Sequence, residues 1–268
     1  MGVFTELSDE DRTSIVEDYG LKSLSSVIGI ANGDTETTYL FRTGEGELIV
    51  TLFEDGAEPL DLEQAFETMD NLYANGVACP KPIRTLDGRA TTYAAERLVA
   101  VVSFLAGSPT TDISVERARS LGSVMGQIHS TLARKSQRKT SLLPTGSVHG
   151  ALVHDNVFFL GDAVSGVINF RLRHDSMFVA EIAEVLVGWT LNAQGEIDIK
   201  RAHAVLSGYQ SARSLTGPEK DALPGFVLAS AAAHYAESGH FEQLPELALT
   251  AYKSMTADIT NLIGPFKS

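Results

Sequence analysis

The segment Val148-His149-Gly150-Ala151-Leu152-Val153-His154-Asp155-Asn156-Val157-Phe158-Phe159 places two histidines, an aspartate and an asparagine in a short stretch that then turns β-branched and aromatic. A polar loop running into Val157-Phe158-Phe159 predicts a strand entered from a loop, because such side chains fit a pleated, half-buried surface. Gly161-Asp162 supplies a turn and Gly166-Val167-Ile168-Asn169-Phe170 the returning strand, so a hairpin follows the loop. Helical patterns bracket it. Apolar residues recur three or four apart over 114–133, 178–192, 198–213 and 218–237.

Toward the N-terminus the pattern changes. Ser8 before Asp9, Glu10 and Asp11 is an N-cap with acidic residues at the positive end of a helix dipole, and Gly20 closes that helix. Period-two alternation over 25–54, interrupted at Ala31-Asn32-Gly33 and Gly44-Glu45-Gly46, predicts three antiparallel strands. Leu62, Ala65, Phe66, Met69, Leu72 and Tyr73 share one face of a helix over 61–75, ended by Gly76. A hairpin is expected at Asp87-Gly88, and 99–105 reads as a central strand, apolar on both faces. The reading is an α+β, two-lobed chain: a β-rich lobe with one crossing helix over 1–106, then a helical lobe carrying the polar loop over 107–268.

The chain has 268 residues, 44% hydrophobic and 21% charged, with a formal net charge of −13. That length suffices for two lobes, and the composition excludes disorder and a coiled coil. An acidic surface repels phosphate backbones and anionic lipids, so nucleic acid and membrane are not expected partners. The longest apolar run, 98–106, is broken by Ser103 and is far short of the roughly 20 residues of a membrane helix. Cys79 stands alone, and residues 1–11 are acidic where a secretion signal is basic and then apolar, so a cytoplasmic location is expected. Glu6 argues against myristoylation at Gly2. Arg134, Lys135, Arg138 and Lys139 form a local cationic run, read as a solvated loop.

From His149 to Phe159 the chain resembles, without a gap, the catalytic-loop pattern H-A-D-L-F-P-D-N-V-F-F of bacterial homoserine kinases. Those enzymes belong to the aminoglycoside phosphotransferase / choline kinase superfamily, with its protein-kinase-like fold. Ser165-Gly166-Val167-Ile168-Asn169-Phe170 is similar to that family's S-G-x-I-D-F, and further likeness at Gly29-Ile30-Ala31, 51–54, 76–80, 102–105, Trp189 and Gly208-Tyr209-Gln210 extends it over most of the chain. The resemblance implies a small antiparallel sheet lobe and a mainly helical lobe. It also implies ATP with Mg²⁺, and transfer of the γ-phosphate to a small hydroxyl substrate such as homoserine.

Carried over position by position, the family's roles expose departures. The aspartate that accepts the substrate hydroxyl proton corresponds to Ala151, the metal-holding asparagine to Asn156, and the second metal-holding aspartate to Asn169. Loss of a general base lowers a rate by about 10²–10⁴-fold. Neutralising a carboxylate beside a divalent ion removes an attraction of up to roughly 8 kcal/mol before desolvation, at about 4 Å and an effective dielectric near 20. Asn156 and Asn169 are therefore expected to hold metal weakly, and only together with nucleotide. Nucleotide contacts are implied at Gly33 and Thr35 in a phosphate-covering turn, at Thr51 where a strand lysine is common, and at Ser103 and Leu105 in the hinge. An ordinary hairpin turn accounts for Gly33 equally well. Glu181 replaces an aspartate that braces the loop, Ala233 and Ser238 replace arginines, and the stretch between His129 and His149 is several dozen residues shorter than in the family.

His149 and Asp155 are the candidate substitute catalytic groups, with His154, Asp175, Glu181 and Glu184 nearby in sequence. Each has a plainer reading: His149 as a prop for the loop, Asp155 in the loop's own hydrogen bonds, Glu181 and Glu184 as ordinary helix carboxylates. The leading expectation is a pseudokinase, a binding or regulatory module that holds a nucleotide or small molecule between its lobes or pairs with a protein partner. The alternative is a divergent ATP-dependent kinase with Asn156 and Asn169 on the metal. A third reading is a structural protein without a cofactor.

Overall fold

The computed structural model describes residues 5–32, 35–133, 142–192, 194–239 and 242–262. Gly33 and the cationic run at 134–139 lie outside them. The chain divides into two compact units, Met1–Leu105 and Ala106–Ser268.

The first unit opens with α1 (Asp9–Asp18), whose N-cap Ser8 forms a capping box with Asp11. Its sheet comprises β1 (Ser26–Asn32), β2 (Glu36–Thr43), β3 (Gly46–Phe53), then, after α2 (Pro59–Ala74), β4 (Pro82–Ile83), β5 (Thr91–Ala94) and β6 (Arg97–Ser103). The order is β1-β2-β3-β6-β4, antiparallel throughout, with β5 also on β6. Tyr39, Phe41, Val50, Leu52, Val99 and Val101 join Ile15 and Tyr19 of α1's segment in one core. Each such buried apolar side chain contributes roughly 1.5–3 kcal/mol. Tyr19 also places its hydroxyl 3.0 Å from the carbonyls of Ala90 and Val99, pinning the helix end to the sheet.

Two expectations change here. The Asp87-Gly88 turn does not join a hairpin: β4 and β5 pair separately with β6, which makes them two pieces of one interrupted edge. The hairpin is β5–β6, turned by Ala95 and Glu96, both at positive φ where Asn-Gly is the usual signal. Asp11 compensates by accepting the Ala95 N–H at 2.8 Å. The central strand stops at Ser103, two residues earlier than periodicity suggests.

The second unit holds α3 (Val115–Leu132), β7 (Thr145–Val148), a 3-10 turn (His154–Asn156), β8 (Val157–Leu160), β9 (Ala163–Val167), a second 3-10 turn (Phe170–Leu172) and β10 (His174–Met177). Helices α4 (Phe178–Thr190), α5 (Ile199–Ala212), α6 (Gly217–Glu237) and α7 (Leu244–Leu262) follow, giving seven α-helices among the described residues. β8 and β9 form the expected hairpin, and β7 pairs with β10 in a ladder that periodicity does not announce. Helices α3 and α5 cross at glycines: a Cβ on Gly122 or Gly208 would lie 1.9 Å from the Val205 or Arg119 carbonyl oxygen. That approach sets His129, near the end of α3, against Tyr209 of α5. No described helix is long and apolar enough to cross a membrane.

Candidate active site

The loop after β7 is held by a closed set of short bonds. His149 is fully buried; its Nε2 lies 2.8 Å from the Ile168 carbonyl and its Nδ1 accepts the Ala151 N–H at 3.2 Å. Nε2 must then carry the hydrogen, so the ring is neutral, and burial holds its pKa below the ordinary histidine value. Asn156, 8% exposed, donates Nδ2–H to the Ala151 carbonyl at 3.0 Å, while its own carbonyl accepts the Ile168 N–H at 3.0 Å. His149, Ala151, Asn156 and the strand leading to Asn169 are thereby brought together.

Asn169 ends that strand. It adopts a left-handed conformation, φ 68° and ψ 44°, which is why the chain leaves β9 before Phe170 and turns into a 3-10 turn. Asparagine tolerates this backbone better than most residues. Its side chain is exposed, as is that of Asp155 on the turn beside Asn156. Gly150, at φ +81°, packs so closely that a Cβ would meet the Leu172 carbonyl oxygen at 2.6 Å and the His174 ring at 2.7 Å.

Beneath the loop runs a buried polar relay. Glu181 accepts the Gly150 N–H at 2.6 Å on Oε1, and its Oε2 lies 2.7 Å from His129 Nε2. His129 Nδ1 lies 2.8 Å from the Tyr209 hydroxyl, which in turn accepts from Arg213 at 2.8 Å. Because Glu181 is a carboxylate and can only accept, His129 Nε2 carries a hydrogen and donates it to Glu181 Oε2. Arg213 also lies 2.9 Å from the buried Glu219, whose other oxygen closes a capping box with Thr216. Burial pushes the Glu181 carboxyl up, but the His129 and Gly150 hydrogen bonds outweigh it and hold the pKa below the ordinary value. Both Glu181 oxygens are thus committed to bracing, and the carboxylate is not a spare base or metal ligand. Trp189 adds a second brace, donating Nε1–H to the Leu152 carbonyl at 2.6 Å, with the His154 ring 3.9 Å away.

The positions implied for nucleotide lie in the first unit. Thr35 is exposed, and its carbonyl accepts the Glu54 N–H at 2.8 Å. Thr51 shares with Thr38 and Ala100 the sheet face opposite the core built with α1. Ser103, at the end of β6, donates its N–H to the Lys81 carbonyl at 2.9 Å and accepts the Lys81 N–H on Oγ at 2.9 Å; Leu105 is the unit's last residue.

Sequence reasoning did not find Tyr209, Arg213 and Glu219 as partners of the loop, because residues of different helices share no local pattern. It also passed over Arg171, Arg173 and His174, three cationic or titratable side chains directly after Asn169.

Residues 26–141 match the model of the phosphotransferase enzyme family. The homoserine kinase of Granulibacter bethesdensis is 30% identical over 84% of this chain and 83% of its own length. That of Gluconacetobacter diazotrophicus is 31% identical over 87% and 86%. In the first alignment 84% of this chain, about 225 residues, is spread over 266 positions, so about 40 positions are gaps in this chain. Among solved structures, an aminoglycoside phosphotransferase from Alicyclobacillus acidocaldarius superposes with a TM-score of 0.66 at 11% identity, covering 91% of this chain and 94% of that one. A spectinomycin phosphotransferase in complex with ADP and spectinomycin gives 0.60 at 11%, covering 96% and 98%. These likenesses establish the protein-kinase-like fold.

Proposed function

The chain belongs to the phosphotransferase enzyme family as a homologue of homoserine kinases, and from that premise we propose that it is a pseudokinase: a nucleotide-binding module that does not transfer phosphate. The observation that carries this reading is Ala151. A methyl group stands where the family's loop presents a carboxylate, while the backbone on either side is held by His149, Asn156, Glu181 and Trp189. The scaffold is kept and the reacting group is gone.

The Mg²⁺ that the family implies does not fit this donor set. Asn156, with its amide nitrogen on the Ala151 carbonyl, can offer one neutral amide oxygen, Asn169 is likewise neutral, and the described residues contain no cluster of three or more His, Cys, Asp or Glu arranged for a metal. Mg²⁺ dehydrates reluctantly and is normally drawn in by carboxylates. In this reading His149 is a prop for the loop, since both ring nitrogens are bonded to backbone.

ATP and ADP are the expected ligands, supported by kinship with homoserine kinases and by relatives of this fold solved with ADP. The role is binding or regulation, with a protein partner as the consumer of the bound state. A second reading, a divergent kinase with Asp155 as base, is favoured by that carboxylate's exposure one residue from Asn156. Calorimetry and thermal shift with ATP, alongside a homoserine phosphorylation assay, test both. Binding without turnover supports the pseudokinase; turnover that disappears in Asp155→Asn supports the divergent kinase; no nucleotide binding overturns both.

A further inference from the structure

In the first unit, one residue grips the start of β2 at two points. Glu54, directly after β3, donates its backbone N–H to the Thr35 carbonyl at 2.8 Å, and its Oε1 accepts the Thr37 hydroxyl at 2.6 Å. Its Oε2 takes Arg97 of β6 at 2.9 Å, and the side chain is only 5% exposed. A charge so buried is costly unless its oxygens have donors, and an apolar side chain would fill the space without that cost. What the carboxylate adds is fixed distances among β2, β6 and the end of β3.

Thr37 is fully buried, and its oxygen also accepts the Thr5 N–H at 3.2 Å. The Thr5 carbonyl accepts the Tyr39 hydroxyl at 2.7 Å, and Leu7 lies in the core that α1 shares with the sheet. Thr5 to Leu7 are thereby strapped to β2, where residues near a terminus ordinarily fray. By strand alternation Thr37 and Tyr39 lie on the α1 face of β2, and Thr38 on the opposite face with its partner Thr51. The strap thus meets β2 from the side opposite Thr51, and the backbone of Thr35 to Thr38 is common to both sides.

We propose that Thr37 is a positioning residue for nucleotide binding, its hydroxyl coupling closure of the N-terminal strap at Thr5 to the turn that covers the phosphates. The proposal rests on the reading that this chain binds nucleotide, with Thr35 in that turn, and deepens it by assigning the element that regulates affinity. With the hydroxyl in place, the strap, Glu54 and the turn hold one arrangement. Without it, the Thr5 N–H and Glu54 Oε1 lose their common partner, and only the backbone bond from Glu54 to Thr35 remains. A ligand that binds the ordered turn must then supply the ordering free energy itself, and its affinity falls. The coupling is reciprocal: the factor by which strap closure raises nucleotide affinity is the factor by which nucleotide favours closure. Withdrawal of Thr5 to Leu7 from β2 therefore weakens nucleotide binding.

The test titrates the full chain and the variants Thr37→Val, Thr37→Ser and Tyr39→Phe with ATP, and with adenosine, which lacks the phosphates. Hydrogen exchange of the Thr5 amide is followed by NMR with and without saturating ATP. Thr37→Val keeps the shape and strand preference of threonine; it is expected to weaken ATP about fivefold or more, the lower end of ordinary coupling, and to leave adenosine unchanged. Thr37→Ser restores the ATP affinity, and Tyr39→Phe, which removes only the bond to the Thr5 carbonyl, gives a smaller loss in the same direction. In the wild type, ATP slows exchange of the Thr5 amide by the same factor. Equal weakening of ATP and adenosine in Thr37→Val overturns the coupling, as does an ATP affinity that stays constant while Thr5 exchange quickens; either leaves nucleotide binding standing. The wild-type exchange measurement needs no variant, so if Thr37→Val misfolds, a Thr5 amide indifferent to bound ATP still overturns the proposal. No ATP binding to the wild type overturns both readings.

Discussion

Gly150 donates its backbone N–H to Glu181 Oε1 at 2.6 Å, tying the loop that contains Ala151 to the first turn of α4. The same carboxylate meets His129 at 2.7 Å, and through it Tyr209 and Arg213. A loop that had become a mere connector would not need a relay across three helices, α4, α3 and α5, behind its backbone. Retention of this brace around a missing carboxylate is the physical basis for reading the chain as a binding module descended from a kinase fold.

Tyr209→Phe removes the hydroxyl that accepts from Arg213 and pairs with His129 Nδ1. A buried ring nitrogen and a guanidinium arm are left without it, at a cost of about 1–3 kcal/mol. Urea denaturation reads the loss. Nitrogen NMR of His129 is expected to show the hydrogen retained on Nε2, where Glu181 Oε2 still accepts it, with the Nδ1 resonance shifted by loss of the Tyr209 hydroxyl.

The stability of the chain falls with acid in two stages. Burial disfavours the His149 imidazolium, so its folded pKa lies below 6.5 and the unfolded chain takes the proton first. Stability is therefore lost as pH drops below about 6.5. Burial raises the Glu54 carboxyl, but bonds from Thr37, Thr5 and Arg97 outweigh it and set its pKa at about 2, against an ordinary 4.5; Glu181 is held down as well. Their contributions are complete above 4.5 and disappear as pH falls below it, down to about 2 for Glu54. His149→Gln, which keeps a donor for Ile168 and an acceptor for Ala151, is expected to flatten the urea midpoint between pH 7 and 5.5, and Glu54→Gln to flatten it below 4.5.

The loop and its hairpin were legible because polar residues, a Gly-Asp turn and β-branched runs sit next to one another in the chain. So was α1, whose capping residues adjoin it. The β7–β10 ladder was not, since His174-Asp175-Ser176-Met177 has no strand periodicity and is extended by its pairing with Thr145–Val148. Asp87-Gly88 misled because a turn signal reports a reversal of direction and not which strands pair. The relay was invisible for another reason: His129, Glu181 and Tyr209 lie on three helices, and only their packing creates the contact.

Gly208→Ala forces α3 and α5 apart, because its Cβ would sit 1.9 Å from the Arg119 carbonyl oxygen. Backbone cannot rotate away as a side chain can, so the cost is at least about 2 kcal/mol, toward the upper end for overpacking. Thermal melting checks it. The His129–Tyr209 bond spans the same helix pair, so His129 should show faster exchange of its ring hydrogen in this variant.

Phosphoryl transfer from ATP to homoserine, measured for wild type beside Ala151→Asp/Asn169→Asp with Mg²⁺ present, tests the central claim most directly. The account predicts that wild-type turnover lies at least about 10²-fold below ordinary kinase values, the loss expected for one general base alone. It predicts that Mg²⁺ strengthens ATP binding only in the variant with both aspartates restored. Wild-type turnover of about 1–100 s⁻¹, the ordinary kinase range, would contradict it and require a base that replaces the carboxylate missing at Ala151.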